Sequence, residues 1–248
     1  MKPYRAVLAM ATLFATGWGA VPAHSGTTTG ITPTGPAGTW TQVFGDEFDD
    51  NSLDATKWTR QEGWMINNVT TRATNVTESG GSARLRLSDA NNGAQLVTHR
   101  WDGDTDRFSL KVGDFVEARV NFPGDNTGLH NWPAWWVSGP SWPAAGEHDI
   151  AEEVEGGLLT VNYHRPARSS REHTTDGTAY VNSFHVYGLH RKATSADVYW
   201  DGKLVASYPT ADNGQGQALI LTVGRDANGA PVTGAASEMQ VDYVRAWR

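Results

Sequence analysis

The 248 residues include no cysteine, which excludes a disulfide framework, a thiol nucleophile and a thiolate metal site and leaves stability to burial. A sustained 3.6-residue apolar period is missing too. Stretches such as Arg84-Leu85-Arg86-Leu87 and Met239-Gln240-Val241-Asp242-Tyr243 alternate with period two instead, the pattern of strands buried on one face. Positive charge is short: the formal net charge is -7, which disfavours nucleic acid as a partner, because phosphate binding is driven by Lys and Arg. Residues 24–38 are Gly, Thr and Pro in the main, with Ile31 as the one larger aliphatic residue. Such a stretch cannot bury a core and reads as a flexible leader.

Before it, Lys2 and Arg5 precede an apolar run from Ala6 to Val21 that ends in Pro22-Ala23. The run falls short of the roughly 20 strongly apolar residues of a spanning helix and reads as a signal peptide over 1–23. The expectation is a secreted, extracellular protein, free of the membrane after cleavage and monomeric. Residues 39–248 then form one large all-β domain. Its many short strands, separated by Gly, Asn and Asp, imply two packed antiparallel sheets, one curved into a concave groove. Asp201-Gly202, between two alternating runs, has the spacing of a type I′ hairpin turn. There is no internal repeat.

Eleven tryptophans are present, and Trp132, Trp135, Trp136 and Trp142 fall within eleven positions. An indole offers a flat apolar face to the C–H face of a sugar ring and an N–H to a hydroxyl. About half of the tryptophans are expected in the core instead.

Beside this cluster, Gly146-Glu147-His148-Asp149-Ile150-Ala151-Glu152-Glu153-Val154-Glu155 carries five acids in nine positions. In a regular strand Glu147 and Asp149 share a face and Glu152 takes the other. One β-bulge between Asp149 and Glu152 brings all three together. Like charges on one face force at least one carboxyl to hold a proton, and glycoside hydrolysis by the retaining route needs one ionised and one protonated carboxyl. The same pattern fits an acidic solvated edge or a calcium site equally well.

The chain resembles glycoside hydrolase family 16, the jelly-roll family of laminarinases, lichenases, agarases and carrageenases. The resemblance rests on Phe44-Gly45-Asp46-Glu47-Phe48-Asp49, on Trp132-Pro133-Ala134-Trp135-Trp136, on the bulged Glu-x-Asp-x-x-Glu signature and on Val241-Asp242-Tyr243-Val244-Arg245-Ala246-Trp247. It implies a concanavalin-like β-sandwich and an endo-acting retaining glycosidase on a polysaccharide, foremost a β-1,3- or mixed β-1,3/1,4-glucan. By the same resemblance Glu147 is the nucleophile, Asp149 its helper and Glu152 the acid/base, with a pKa raised by the charge of Glu147. Trp132 and Trp136 stack on sugar, and His164 contacts the centre. No metal ligands are assigned and no cofactor is required, although the family admits a structural calcium on the convex face.

Three positions depart from the family pattern: His148 and Glu153 follow the two glutamates, and Asn162 stands two before His164. Glu153 and Glu155 are read as the solvent face of the strand leaving the groove. Residues 165–173, rich in Arg and His, read as a loop bordering the groove, with Arg165 as a substrate contact. They leave open recognition of an acidic sugar, and Tyr163, His164 and Arg165 leave open a lyase. A non-catalytic sugar-binding sandwich is the third alternative.

Overall fold

A computed structural model describes residues 30–99 and 107–248; the signal-peptide segment 1–23 and the leader up to residue 29 lie outside the described residues. Among these, the strands build two large, mainly antiparallel sheets of eight and nine strands. The first sheet runs Lys203–Pro209, Ser195–Trp200, His185–Arg191, Phe115–Asn121, Met239–Trp247, Ala83–Leu85, Val76–Glu78, with Gln42–Asp46 as an eighth strand also paired to Met239–Trp247. The second runs Arg168–Asp176, Leu158–Arg165, Glu147–Glu152, Trp132–Ser138, Ala218–Gly224, Asn92–Val97 and then two short strands, with Thr59–Arg60 as a ninth also paired to Asn92–Val97. Between them lies one core, in which Val116, Ala118, Val120, Tyr187 and Leu189 of the first sheet join Trp135, Val137, Tyr163, Leu219 and Leu221 of the second. The all-β sandwich is what the alternating pattern dictates.

Every residue of Ala218–Gly224 is buried, so this central strand is covered on both faces. Leu219, Leu221 and Val223 enter the core, whereas Ala218 and Ile220 join Val97 in a small cluster on the opposite face, capped by Trp136. That cluster is the floor of a groove. The Asp201-Gly202 turn has φ of 47° and 76°, both positive as a type I′ turn requires.

Two expectations are corrected. The described part of the leader, residues 30–38, lies on the first sheet: Thr34 N–H donates to Glu117 Oε2 at 2.7 Å, and Trp247 Nε1 donates to the Ile31 carbonyl at 2.7 Å. Glu117 is fully buried, and a buried carboxylate must find donors; the polar stretch supplies them without needing a core of its own. The basic segment is likewise no loop. It folds as a hairpin in which Leu158–Arg165 pairs with Arg168–Asp176 through a turn where Ala167 has φ of 79°, so the groove sheet gains an ordered edge strand.

Candidate active site

The Glu147–Glu152 strand lies between two partners whose register shows the bulge. Against Trp132–Ser138, Glu147 faces Ser138, Asp149 faces Trp136 and Glu152 faces Ala134; three residues on one strand thus match two on the other. Ile150 and Ala151 both enter the core. With two consecutive side chains turned inward, Glu152 returns to the face that Glu147 and Asp149 already occupy. The three acids line one cavity of about 470 Å³ with Trp132, Trp136, Asn162, His164 and Arg171.

Glu152 is held by two donors: Trp132 Nε1 reaches its Oε2 at 2.8 Å and Asn162 Nδ2 its Oε1 at 2.6 Å. His164 Nε2 lies 3.1 Å from Asp149 Oδ2 and 3.6 Å from Glu147 Oε1, and its other ring nitrogen meets the Ser169 hydroxyl. Burial lowers the His164 pKa, which favours the neutral ring beside the acids. Trp136 stands at the floor with its Nε1 bonded to Thr222 Oγ1 at 3.0 Å, leaving a half-buried indole toward the cavity.

All three carboxyls are pushed up, and the leading cause in each is burial. Glu147 rises to about 7, with the Glu152 charge second and bonds from Ser138 and Trp142 opposing the rise. For Asp149, at the centre of the trio, both neighbouring charges add to the burial, and its bond to Glu152 favours the proton on Asp149. Glu152 is raised by burial, while Trp132, Asn162 and Asp149 all favour its ionised form. Repulsion between the Glu147 and Glu152 carboxylates is mutual, so the charge of either disfavours ionisation of the other. The trio is a proton-sharing unit with Asp149 as its best-placed holder.

A stability effect follows. Between pH 4.5 and 7 the folded chain keeps a proton on Glu147 that the unfolded chain has released. The unfolded state therefore binds fewer protons, and stability falls as pH rises through that window. We expect the unfolding free energy from urea titration to drop between pH 5 and 7.5 by an amount on the order of 1–3 kcal/mol, and Glu147→Gln to flatten part of that drop. An equal drop in both proteins would refute the assignment.

Behind the trio, His148 is fully buried on the opposite face, stacked on Tyr163 at 4.7 Å and within 2.9 Å of the Tyr208 hydroxyl. Asp212, 3.7 Å from its Nε2, is itself paired with Arg191 at 3.0 Å. This packed polar layer fixes the strand that carries the acids.

Other assignments move. Arg165 does not line the cavity: strand alternation turns it to the face opposite His164, where its guanidinium sits 5.8 Å from the Tyr163 ring centroid. Arg171 lines the groove instead, because it pairs with the groove-facing Asn162 across the hairpin; it also reaches Glu155 at 3.3 Å. Tyr163 is buried in the core and its hydroxyl accepts the Ala211 N–H, so it offers no base to the groove. Glu153 is 1% exposed rather than on a solvent face. Asn162 and Arg171 are the contacts that sequence reasoning missed; the even spacing of Asn162 from His164 was the usable signal for the first. On the outer face of the first sheet, Asp242 is paired with Arg119 at 2.8 Å and Asp197 with Lys192 and Ser207. Those acids are engaged by cations and donors.

Residues 110–197 match the family model described as "XgeA-like, catalytic GH16 domain", and they contain the whole bulged strand and its partners. This stretch is similar to the catalytic domain of glycoside hydrolase family 16. Glucan endo-1,3-beta-glucosidase A1 of Niallia circulans is 27% identical over 272 residues, covering 88% of this chain and 39% of that protein. The chain thus spans about two fifths of that relative's length. Two solved structures share the family 16 fold at 23% identity. A non-specific endo-beta-1,3(4)-glucanase from family GH16 has a TM-score of 0.68 and covers 84% of this chain and 91% of its own. A structure reported with endo-acting O-glycanases of the human gut microbiota that initiate mucin breakdown has a TM-score of 0.67, covering 88% and 94%. One fold therefore carries different sugar specificities.

Proposed function

We propose that this protein is a secreted, endo-acting retaining glycoside hydrolase whose substrate is a β-1,3- or mixed β-1,3/1,4-glucan. The observation that supports it most is the bulge that gathers Glu147, Asp149 and Glu152 in one tryptophan-lined groove. A sugar-binding module has no use for a buried acid trio, which costs stability at neutral pH. Beyond Glu147 the groove continues into a second cavity of about 420 Å³, lined by Trp64, Met65, Trp136 and Trp142 among others. A cleft that runs on past the acids suits a chain bound along its length and cut internally. The glucan reading draws on two of the three similar proteins, which are named for β-1,3-linked substrates.

For the reaction the proton shared within the trio rests on Glu152: Glu147 then attacks the anomeric carbon as a carboxylate while Glu152 gives that proton to the departing glycosidic oxygen. Glu152 then takes a proton from water, which releases the sugar from Glu147. At rest Asp149 holds that proton beside both, so ionisation of Glu147 is stabilised as the sugar approaches. Substrate that displaces groove water strengthens these interactions. Trp132, already bonded to Glu152, and Trp136 supply the stacking faces.

Incubation with neutral and acidic polysaccharides, followed by mass spectrometry, tests the class of reaction: hydrolysis adds water, whereas a lyase leaves an unsaturated end. Arg171 in the groove makes the acidic arm of that panel informative. Stereochemistry is a separate prediction. Two successive inversions give a first-formed anomer of retained configuration by proton NMR before mutarotation, and transfer products appear when a sugar acceptor competes with water. An inverted first product would overturn the assignment of Glu147 as a covalent nucleophile and the close spacing that the bulge implies. Secretion through residues 1–23 and a monomeric state belong to the same proposal, checked by the N-terminus of protein recovered from culture medium and by its sedimentation.

A further inference from the structure

A second acidic site lies behind the strand end that carries Glu152. Glu153 is 1% exposed; its Oε1 accepts the Gly157 N–H at 3.0 Å, and its Oε2 is buried with no hydrogen-bond partner. The carboxyl lines a cavity of about 140 Å³ shared with Asn131, Gly156 and the 225–232 loop, which contributes Asp226. That loop is tied down by reciprocal bonds, Asn131 Nδ2 to the Val232 carbonyl and Val232 N–H to Asn131 Oδ1, both at 2.9 Å. Asp226 keeps a fixed orientation through the Asn228 N–H, which donates to its Oδ1 at 2.8 Å.

A buried carboxylate oxygen without a partner is among the costliest groups a fold can retain. Here burial, together with the like charges of Asp226, Glu152 and Glu155, pushes Glu153 up to about 8 against the Gly157 bond. The charges that weigh most on it are all of its own sign. Two carboxylates and loop backbone on the lining of one small cavity, which Arg225 and His130 also border, offer oxygen ligands of the kind that suits a hard divalent cation. The space holds an ion with several waters, each of which takes roughly 30 Å³.

We propose that Glu153 and Asp226 bind a calcium ion in this cavity, fastening the 225–232 loop to the end of the strand that carries Glu152. Glu153 Oε2 and the Asp226 carboxylate are the protein's charged ligands, and water completes the shell. The site is separate from the groove acids and from the outer face of the first sheet. Arg225 lines the same cavity with its Nε buried and unbonded, so its guanidinium is the competing partner for Glu153.

The test is thermal unfolding of the whole chain at pH 7, stripped with EDTA and then titrated with calcium chloride, with magnesium chloride in parallel. At calcium a hundredfold above Kd the melting temperature is expected to rise by about 5–10 °C. Glu153→Gln, which keeps the Gly157 bond, should remove the response, as should Asp226→Asn if the first variant does not fold. Glu147→Gln should retain it, which separates this site from the groove acids. A flat wild-type titration, in which a proton or Arg225 satisfies Glu153, overturns the proposal. So does a response that survives in Glu153→Gln or disappears in Glu147→Gln.

Discussion

Glu147→Gln is expected to abolish hydrolysis, with a loss of about 10⁴-fold or more, the scale seen when a nucleophile is removed from a unit that acts together. The variant should remain folded. Glutamine keeps the shape of the side chain and can still accept the bonds from Ser138 and Trp142, while losing the charge that attacks carbon. Because Glu147 sits beside Asp149 and Glu152, removing its ionisable group also relieves repulsion, so stability near neutral pH should rise rather than fall. Asp149→Asn should impair turnover less completely, since Asp149 tunes its neighbours through the proton it holds. The measurement is release of reducing ends from the polymer, beside a urea unfolding curve for each variant. Near-normal activity in Glu147→Gln would remove the nucleophile assignment; equal losses at 147 and 149 would call for exchanging their roles.

Trp135→Ala and Trp136→Ala should differ in kind although they are neighbours in sequence. Trp135 is fully buried between the sheets and its Nε1 donates to the Tyr187 carbonyl at 3.1 Å. Truncation leaves a cavity and an unpaired carbonyl and should cost about 3–5 kcal/mol. That is a large share of the roughly 5–15 kcal/mol by which a domain is stable. Trp136 faces the groove above Val97, Ala218 and Ile220, and its loss should weaken substrate binding by about 1–3 kcal/mol, the range for stacking on a flat ligand. Thermal melts and KM values for both variants separate the two outcomes. A larger melting loss at 136 than at 135 would mean that the faces of this strand had been exchanged.

The sequence was readable wherever one strand's own alternation decides the answer. Period two gives the sheets, Asp201-Gly202 gives a turn that needs two positive φ values, and the three-residue step from Asp149 to Glu152 already demands a bulge if the acids are to act together. His164 and Asn162 share a face for the same reason, two residues apart. Arg165 was misplaced by discounting that rule, since it lies one residue from His164 and must point away from it.

Pairing between strands and packing between layers lay beyond that reach. Arg171 enters the groove only because the 165–173 segment forms a hairpin whose register sets it opposite Asn162, and nothing in a basic run fixes register. Glu153 looks like a surface acid in one dimension and is buried because the 225–232 loop, more than seventy positions later, closes over it. The described part of the leader, residues 30–38, is held by Glu117, a buried carboxylate eighty-three positions from Thr34. By itself the sequence determined which residues can share a face and which acids can meet, because side-chain direction along a strand is local geometry. Tertiary structure alone decided which of those faces is roofed, which charges are desolvated and where protons reside, because burial is a property of the chain segments that arrive from elsewhere.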